Sequence, residues 1–284
     1  MTNQSGDVVI VGFDAAWTDH PKKPGAICSV RFQGGRCTAF HPPRLVSFGE
    51  GLAFIEEVEV KGVPVLVALD QPTVVPNATG SRPVDKIAAT LVSWIGGGVQ
   101  PANRSKLGMF DDEAPVWQFL EALGAIQHPE EARTASSGRY LIEVFPALAL
   151  TGLDSSFFGR LAGPRYNPER RKTFQQDHWR RVLVAVSAEA RRLGCEAVAD
   201  WLPVLDVEPV RKPHQDLTDA VICLLIGIRW RLEPRESSIV IGCTDRGYMV
   251  APVTPPIYDR LSAAALLRGV PIDQPTPSNL GSPA

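Results

Sequence analysis

The sequence predicts an α/β fold on a mixed sheet, an antiparallel meander plus parallel strands, with flanking helices and a helical insertion. Three observations predict it. Short β-like runs separated by turn residues open the chain. Two later apolar runs are continuous rather than alternating, as strands covered on both faces are. The segments around them carry apolar residues at helical spacing. A chain of 284 residues can bury one sizeable core, and a single domain over residues 1–272 is expected.

The first run, Val8 to Trp17 (VVIVGFDAAW), consists of apolar β-formers and ends in one carboxylate, Asp14. Burying an unpaired carboxylate is costly, so Asp14 either caps the turn after the strand or faces solvent or a cation, a metal ion included. Gly25 to Phe32 and Arg36 to His41, on either side of the turn-like Gln33 to Gly35, complete the meander. Between Phe48 and Lys61 the residues Leu52, Phe54, Ile55 and Val58 share a helical face, and Gly62 stands where such a helix ends. The continuous run Val63 to Pro72 ends in a second acid, Asp70, and Pro72 stops further pairing. A crossover helix before it implies a strand parallel to the first. Asp14 and Asp70 then fall at the carboxyl end of the sheet, where sites of open α/β sheets form.

Residues 73–137 are too long for a plain loop and read as an inserted helical subdomain, with helices at Val84 to Ile95 and Asp112 to Leu123. Gly96 to Gly98 between them is a hinge, since it lacks the preceding strand and the following Lys-Ser or Lys-Thr of a phosphate loop. Arg82, Lys86, Arg104 and Lys106 flank this region as solvated surface or as phosphate contacts. Arg139 to Ala147 is a third apolar strand whose Glu143 points, by alternation, away from its neighbours toward a partner or a site. Asn167 to Gly194 reads as one long helix with Trp179, Leu183 and Val186 on its buried stripe, and Arg165, Arg170, Arg171 and Lys172 near its start are candidates for phosphate contact.

Lys212 to Leu232 is a largely buried helix expected to start near Gln215. Asp216 and Asp219, three apart, share one face in or near its first turn, where the helix dipole tolerates anions. Capping accounts for Asp216 as well as a site does; Asp219 sits deeper, beside Ala220, Val221 and Ile222. A hairpin of Ser237 to Cys243 and Gly247 to Val253, a short helix at Tyr258 to Leu267 and a Pro- and Ser-rich tail over 273–284, expected to be disordered, close the chain.

Composition excludes some classes. Apolar residues at 44% and charged residues at 21% are ordinary for a soluble globular protein, and no run suggests a membrane span. The N-terminus lacks the basic and apolar regions of an export signal, so the expected location is the cytoplasm. Five cysteines stand singly, without metal-site pairs, and read as small core residues in a reducing compartment. A net charge of −2 gives no overall footprint for nucleic acid, so such a partner must be held by local basic residues. The oligomeric state stays open, a homodimer included.

Acids at the ends of the first and fourth strands and on a late helix resemble the pattern of ribonuclease H-like nucleases, whose carboxylates converge there on divalent metal. Holliday-junction resolvases of that superfamily carry an Asp-x-x-Asp pair on the helix, as Asp216 and Asp219 do here. The words GFDAAW, ALDQP, IEVFPA and HQDLTDA, spread from Val8 to Val253, are similar to those of the bacterial and archaeal family catalogued as domain of unknown function 429, described as predicted ribonuclease H-like nucleases. Its arginine-rich motif is matched in part by GSRPVD, Gly80 to Asp85.

The resemblance implies a ribonuclease H-like fold and phosphodiester hydrolysis of DNA or RNA with two Mg2+ or Mn2+ ions about 3.5–4 Å apart. It makes Asp14 a ligand bridging both ions, Asp70, Asp219 and Asp216 further ligands, and Glu143 an extra ligand or a support behind them. Lys212, His214 and Arg82 become the substrate-binding candidates. Two rivals remain. The GFD word is also similar to the actin-like ATPase and sugar-kinase fold, a nucleotide-dependent phosphotransferase reading that needs a duplicated core and glycine-rich phosphate turns. The other is a catalytically inactive binding or regulatory module, which the near-neutral charge favours.

Overall fold

The computed structural model describes residues 6–273. Strands β1 (Val8–Asp14), β2 (Gly25–Gln33) and β3 (Arg36–Val46) form the antiparallel meander. Helix α1 (Phe48–Val58) crosses to β4 (Val65–Asp70), which pairs parallel with β1. Ser47 starts α1 because its hydroxyl accepts the Glu50 amide while the Glu50 carboxylate accepts the Ser47 amide, a reciprocal cap. Helices α2 (Pro83–Val92), α3 (Pro115–Leu123) and α4 (Pro129–Thr134) precede β5 (Arg139–Glu143), parallel to β4. The five strands lie in the order β3-β2-β1-β4-β5.

The chain continues through α5 (Pro146–Leu153), α6 (Gln176–Arg192), α7 (Glu196–Trp201) and α8 (Lys212–Leu232). A small antiparallel sheet of β6 (Ser238–Cys243), β7 (Gly247–Pro252) and β8 (Ile272–Asp273) follows, with α9 (Pro255–Arg268) between its last two strands. A bridge from Val144 to Val250 links it to the end of β5.

Alternation divides the central strands cleanly. Ile10, Leu66, Ala68 and Ile142 face α6 and α8, while Val9, Val11, Phe13, Val67 and Leu69 face α1 and α3. Helix α8 lies so close to β1 that a Cβ on Gly12 would stand 2.2 Å from the Ala220 carbonyl oxygen and 2.4 Å from the Leu224 nitrogen. Further along, Gly227 approaches Ile10, so the helix runs antiparallel to the strand. A third core joins α2, α9 and the small sheet.

Several expected boundaries shift for local reasons. The helix expected from Asn167 begins only at Gln176, because the Asn167 side chain takes the Glu169 amide and the residues after it close hydrogen-bonded turns. Helix α8 starts at Lys212 rather than Gln215, and Pro213 fits in its first turn, where no amide is needed. Strand β5 ends at Glu143, short of Ala147, since Pro146 opens α5. Of the helices in 73–137, α2 packs into the third core and α3 against α1, while Val75, Ala102 and Phe110 form a small cluster of their own with Met109, Trp117 and Trp17. Asp273, expected in the tail, pairs with Val240 in β8; the rest of that tail lies outside the described residues. Among the described residues no helix is long and apolar enough to cross a membrane.

The contact between β1 and α8 is testable. Gly12→Ala forces backbone apart and is expected to lower the unfolding free energy in a urea titration by roughly 3 kcal/mol. Gly227→Ala meets only the side chains of Ile10 and Ala68, and its loss is expected to be smaller.

Candidate active site

The register of the two parallel strands sets Asp14 directly beside Asp70. Both follow the period of two from Gly12 and Ala68, and so point to the α8 side of the sheet. From Gly12 to Asp14 the strand advances about 6.6 Å, and from Ala220 back to Asp216 the helix covers about 6 Å. The antiparallel run therefore brings Asp216 to Asp14, and their carboxyl groups are in hydrogen-bonding contact. Asp219, one turn deeper, lies close enough to raise the proton affinity of both strand acids.

Each helix acid has a fixed partner. The Tyr166 hydroxyl donates to Asp219 Oδ1 at 2.8 Å and the Gln215 amide donates to Oδ2 at 3.0 Å. The Lys212 ammonium meets Asp216 Oδ1 at 2.5 Å, one helical turn away. Burial, then repulsion from Asp219, pushes Asp14 and Asp70 well above the usual carboxylate range. Burial is also the main cause that raises Asp216, and it pushes Asp219 up to about 6. The same burial would strip Lys212 of its proton, yet Asp14, Asp219 and Asp216 together outweigh it and hold the ammonium above its ordinary range.

These groups line a cleft of about 990 Å³ between the carboxyl ends of the strands and the loops after β1, α2 and α5. Lys22, Lys23, Arg165 and Arg170 also line it, with no carboxylate partner among the described residues. Trp17 stands at its side, edge-on to Phe110 with ring centres 5.2 Å apart and with the Lys106 ammonium 5.9 Å over its ring.

Two expectations need correction. Arg82 is neither solvated surface nor an open phosphate contact: its side chain is 0% exposed, and its guanidinium grips Glu143 at 2.5 and 2.9 Å and Asp85 at 2.8 and 3.1 Å. Glu143, whose Oε2 also accepts the Thr73 amide at 3.0 Å, is thereby satisfied by the chain itself, behind Asp70. The two carboxylates more than offset burial and keep Arg82 charged. His214 lies outside the cleft lining and serves as a cap, its Nδ1 accepting the Arg211 amide at 3.0 Å.

Tyr166, Lys22 and Lys23 had no signal of function in the sequence, because all three sit in irregular loops. Gln215, four residues before Asp219 on the same helical face, was findable by spacing.

The chain matches the family described as protein of unknown function (DUF429) over residues 12–239. It belongs to the DUF429 family. No curated protein and no solved structure matches the chain. The DUF429 match runs from Gly12 through both strand acids and α8, so the whole constellation falls inside it. Among the described residues no three His, Cys, Asp or Glu side chains are drawn together as a metal site; the site's donors are all oxygens, the type that hard cations such as Mg2+ and Mn2+ take.

Two outcomes follow from these charges. Asp219 holds its proton more tightly folded than unfolded, so its stabilising contribution is complete below about pH 4 and is lost as pH rises through about 6. In metal-free buffer Asp219→Asn is expected to melt with the wild type near pH 4 and above it near pH 7, followed by calorimetry. Arg82→Met strands two buried carboxylates and is expected to cost about 3–5 kcal/mol in chemical denaturation, part of it recovered when Glu143→Gln is added.

Proposed function

We propose that this DUF429 chain is a ribonuclease H-like, divalent-metal-dependent nuclease that hydrolyses phosphodiester bonds of DNA or RNA. The observation that carries the reading is the meeting of four carboxylates, Asp14 and Asp70 in register at adjacent strand tips and Asp216 and Asp219 from α8, in a cleft lined by cations with no carboxylate partner among the described residues. Buried like charges repel, and folds retain them where a cation compensates. Asp14 and Asp70 would hold Mg2+ or Mn2+, with Asp216 and Asp219 beside them. When bound, such an ion polarises a phosphate oxygen and makes water acidic enough to attack.

The chain's own groups supply the rest. Lys22, Lys23, Arg165 and Arg170 bind phosphates flanking the scissile one, which the acids alone would repel. Tyr166 and Gln215 fix the rotamer of Asp219. Lys212 stays charged and offsets negative charge that builds up on the phosphate. The inactive-module alternative draws its support from Lys212 as well, since an ammonium already neutralises part of the cluster.

A cleavage assay separates the two. Single-stranded DNA, duplex DNA, RNA and RNA–DNA hybrid are incubated with Mg2+ or Mn2+ and either the wild type or the Asp14→Asn/Asp70→Asn double variant. Cleavage of at least one substrate, stopped by chelation and reduced at least a thousandfold in the variant, is the expected result. An intact substrate panel with both proteins returns the fold to a binding role.

A further inference from the structure

We infer that the site takes one divalent ion rather than two, with the Lys212 ammonium standing as the second positive charge. This deepens the metal-dependent reading and rests on it. The partners of each carboxylate point this way. Both oxygens of Asp219 already accept hydrogen bonds, from Tyr166 and from Gln215. Asp216 is held by Lys212 on one side and contacts Asp14 on the other. Asp70 receives no hydrogen bond from any described group, and it stands beside Asp14 in the strand register and lines the same cleft. The carboxyl groups that meet no ammonium, hydroxyl or amide donor among the described residues are thus Asp14, whose contact is with another acid, and Asp70. Two carboxylates, completed by water and by phosphate oxygens of the substrate, are an ordinary set for one Mg2+. A second ion would have to draw its oxygens from Asp216 and Asp219 and break the contacts that now fix them.

The position of Lys212 supports this independently. Lys212, Asp216 and Asp219 stand at i, i+4 and i+7 and share one stripe of α8. Lys212 is also the first residue of that helix, where the dipole repels a cation and where the order of lysine before aspartate is the less favourable one. Helix stability therefore gives no reason for a lysine here. Its reason lies across the cleft, in the field of Asp14, Asp216 and Asp219. In a two-ion hydrolase the second ion balances charge at the leaving oxygen; an ammonium held against Asp216 in the cleft would supply a positive charge without a site to fill.

Counting bound Mn2+ tests the inference without reference to activity. Chelator-stripped protein is titrated with Mn2+ by calorimetry, and electron paramagnetic resonance is recorded on the loaded sample. The wild type is expected to bind one ion per chain with an uncoupled, mononuclear signal. Lys212→Met is expected to bind Mn2+ at least tenfold more tightly or to take up a second, spin-coupled ion, whereas Lys212→Arg keeps the count at one. Asp70→Asn, which leaves the lysine contacts untouched, is expected to lose the ion. Two coupled ions in the wild type would overturn the role of Lys212 and leave the metal-dependent reading standing. One ion bound equally well by wild type and Lys212→Met also overturns it. No binding by the wild type, with no change in its melting temperature at millimolar Mn2+, removes both.

Discussion

Repulsion among Asp14, Asp70, Asp216 and Asp219 is the constraint around which this molecule is arranged. Gly12 lets α8 approach the β1 backbone more closely than any side chain permits, and the antiparallel run of the helix then carries its acids toward the strand tips rather than away. The cost appears in the raised proton affinity of all four carboxyl groups. Packing over the rest of α8, where Val221, Leu224, Leu225 and Ile228 are buried, supplies what holds the charges together.

A short distance behind, the same chain solves the same problem differently. Glu143 and Asp85 are more deeply buried than the cleft acids, but one guanidinium satisfies both with paired hydrogen bonds. That fork joins the tip of β5 to the start of α2, and Gly247 of β7 leaves room for it. One cluster satisfies its charges internally, whereas in the other Asp70 receives no hydrogen bond from any described group. The contrast separates a structural ion network from a candidate site more sharply than burial or pKa shifts do, since both clusters show those.

How much of this was legible in the sequence follows from where the governing interactions lie along the chain. Asp14 and Asp70 stood out because each ends a continuous apolar run, and a crossover helix between such runs implies parallel pairing; their common sheet end followed without coordinates. Asp216 and Asp219 were readable from helical spacing. Arg82 was not: its partner Glu143 is 61 residues away, and no local pattern tells a buried arginine from a solvated one. Tyr166 was hidden for a similar reason. The loop that carries it is placed by backbone bonds from Leu161 to Trp94 and from Gly163 to Ile95, contacts between segments with no periodicity. The early turns that replaced the start of the expected long helix belong to this same loop, which carries Tyr166 inward to Asp219.

Trp17 lies three residues beyond Asp14, on the turn that leaves the strand tip, and its ring lines the cleft. Trp179 and Trp230, by contrast, are fully buried in the core away from it. An indole is sensitive to nearby charge and to the polarity around it, and the one at Trp17 already feels the Lys106 ammonium. The protein therefore carries its own optical reporter at the mouth of the acid cluster, positioned by the strand that supplies the acid. A change of charge in that cleft acts directly on this ring, while Trp179 and Trp230 stand away from it.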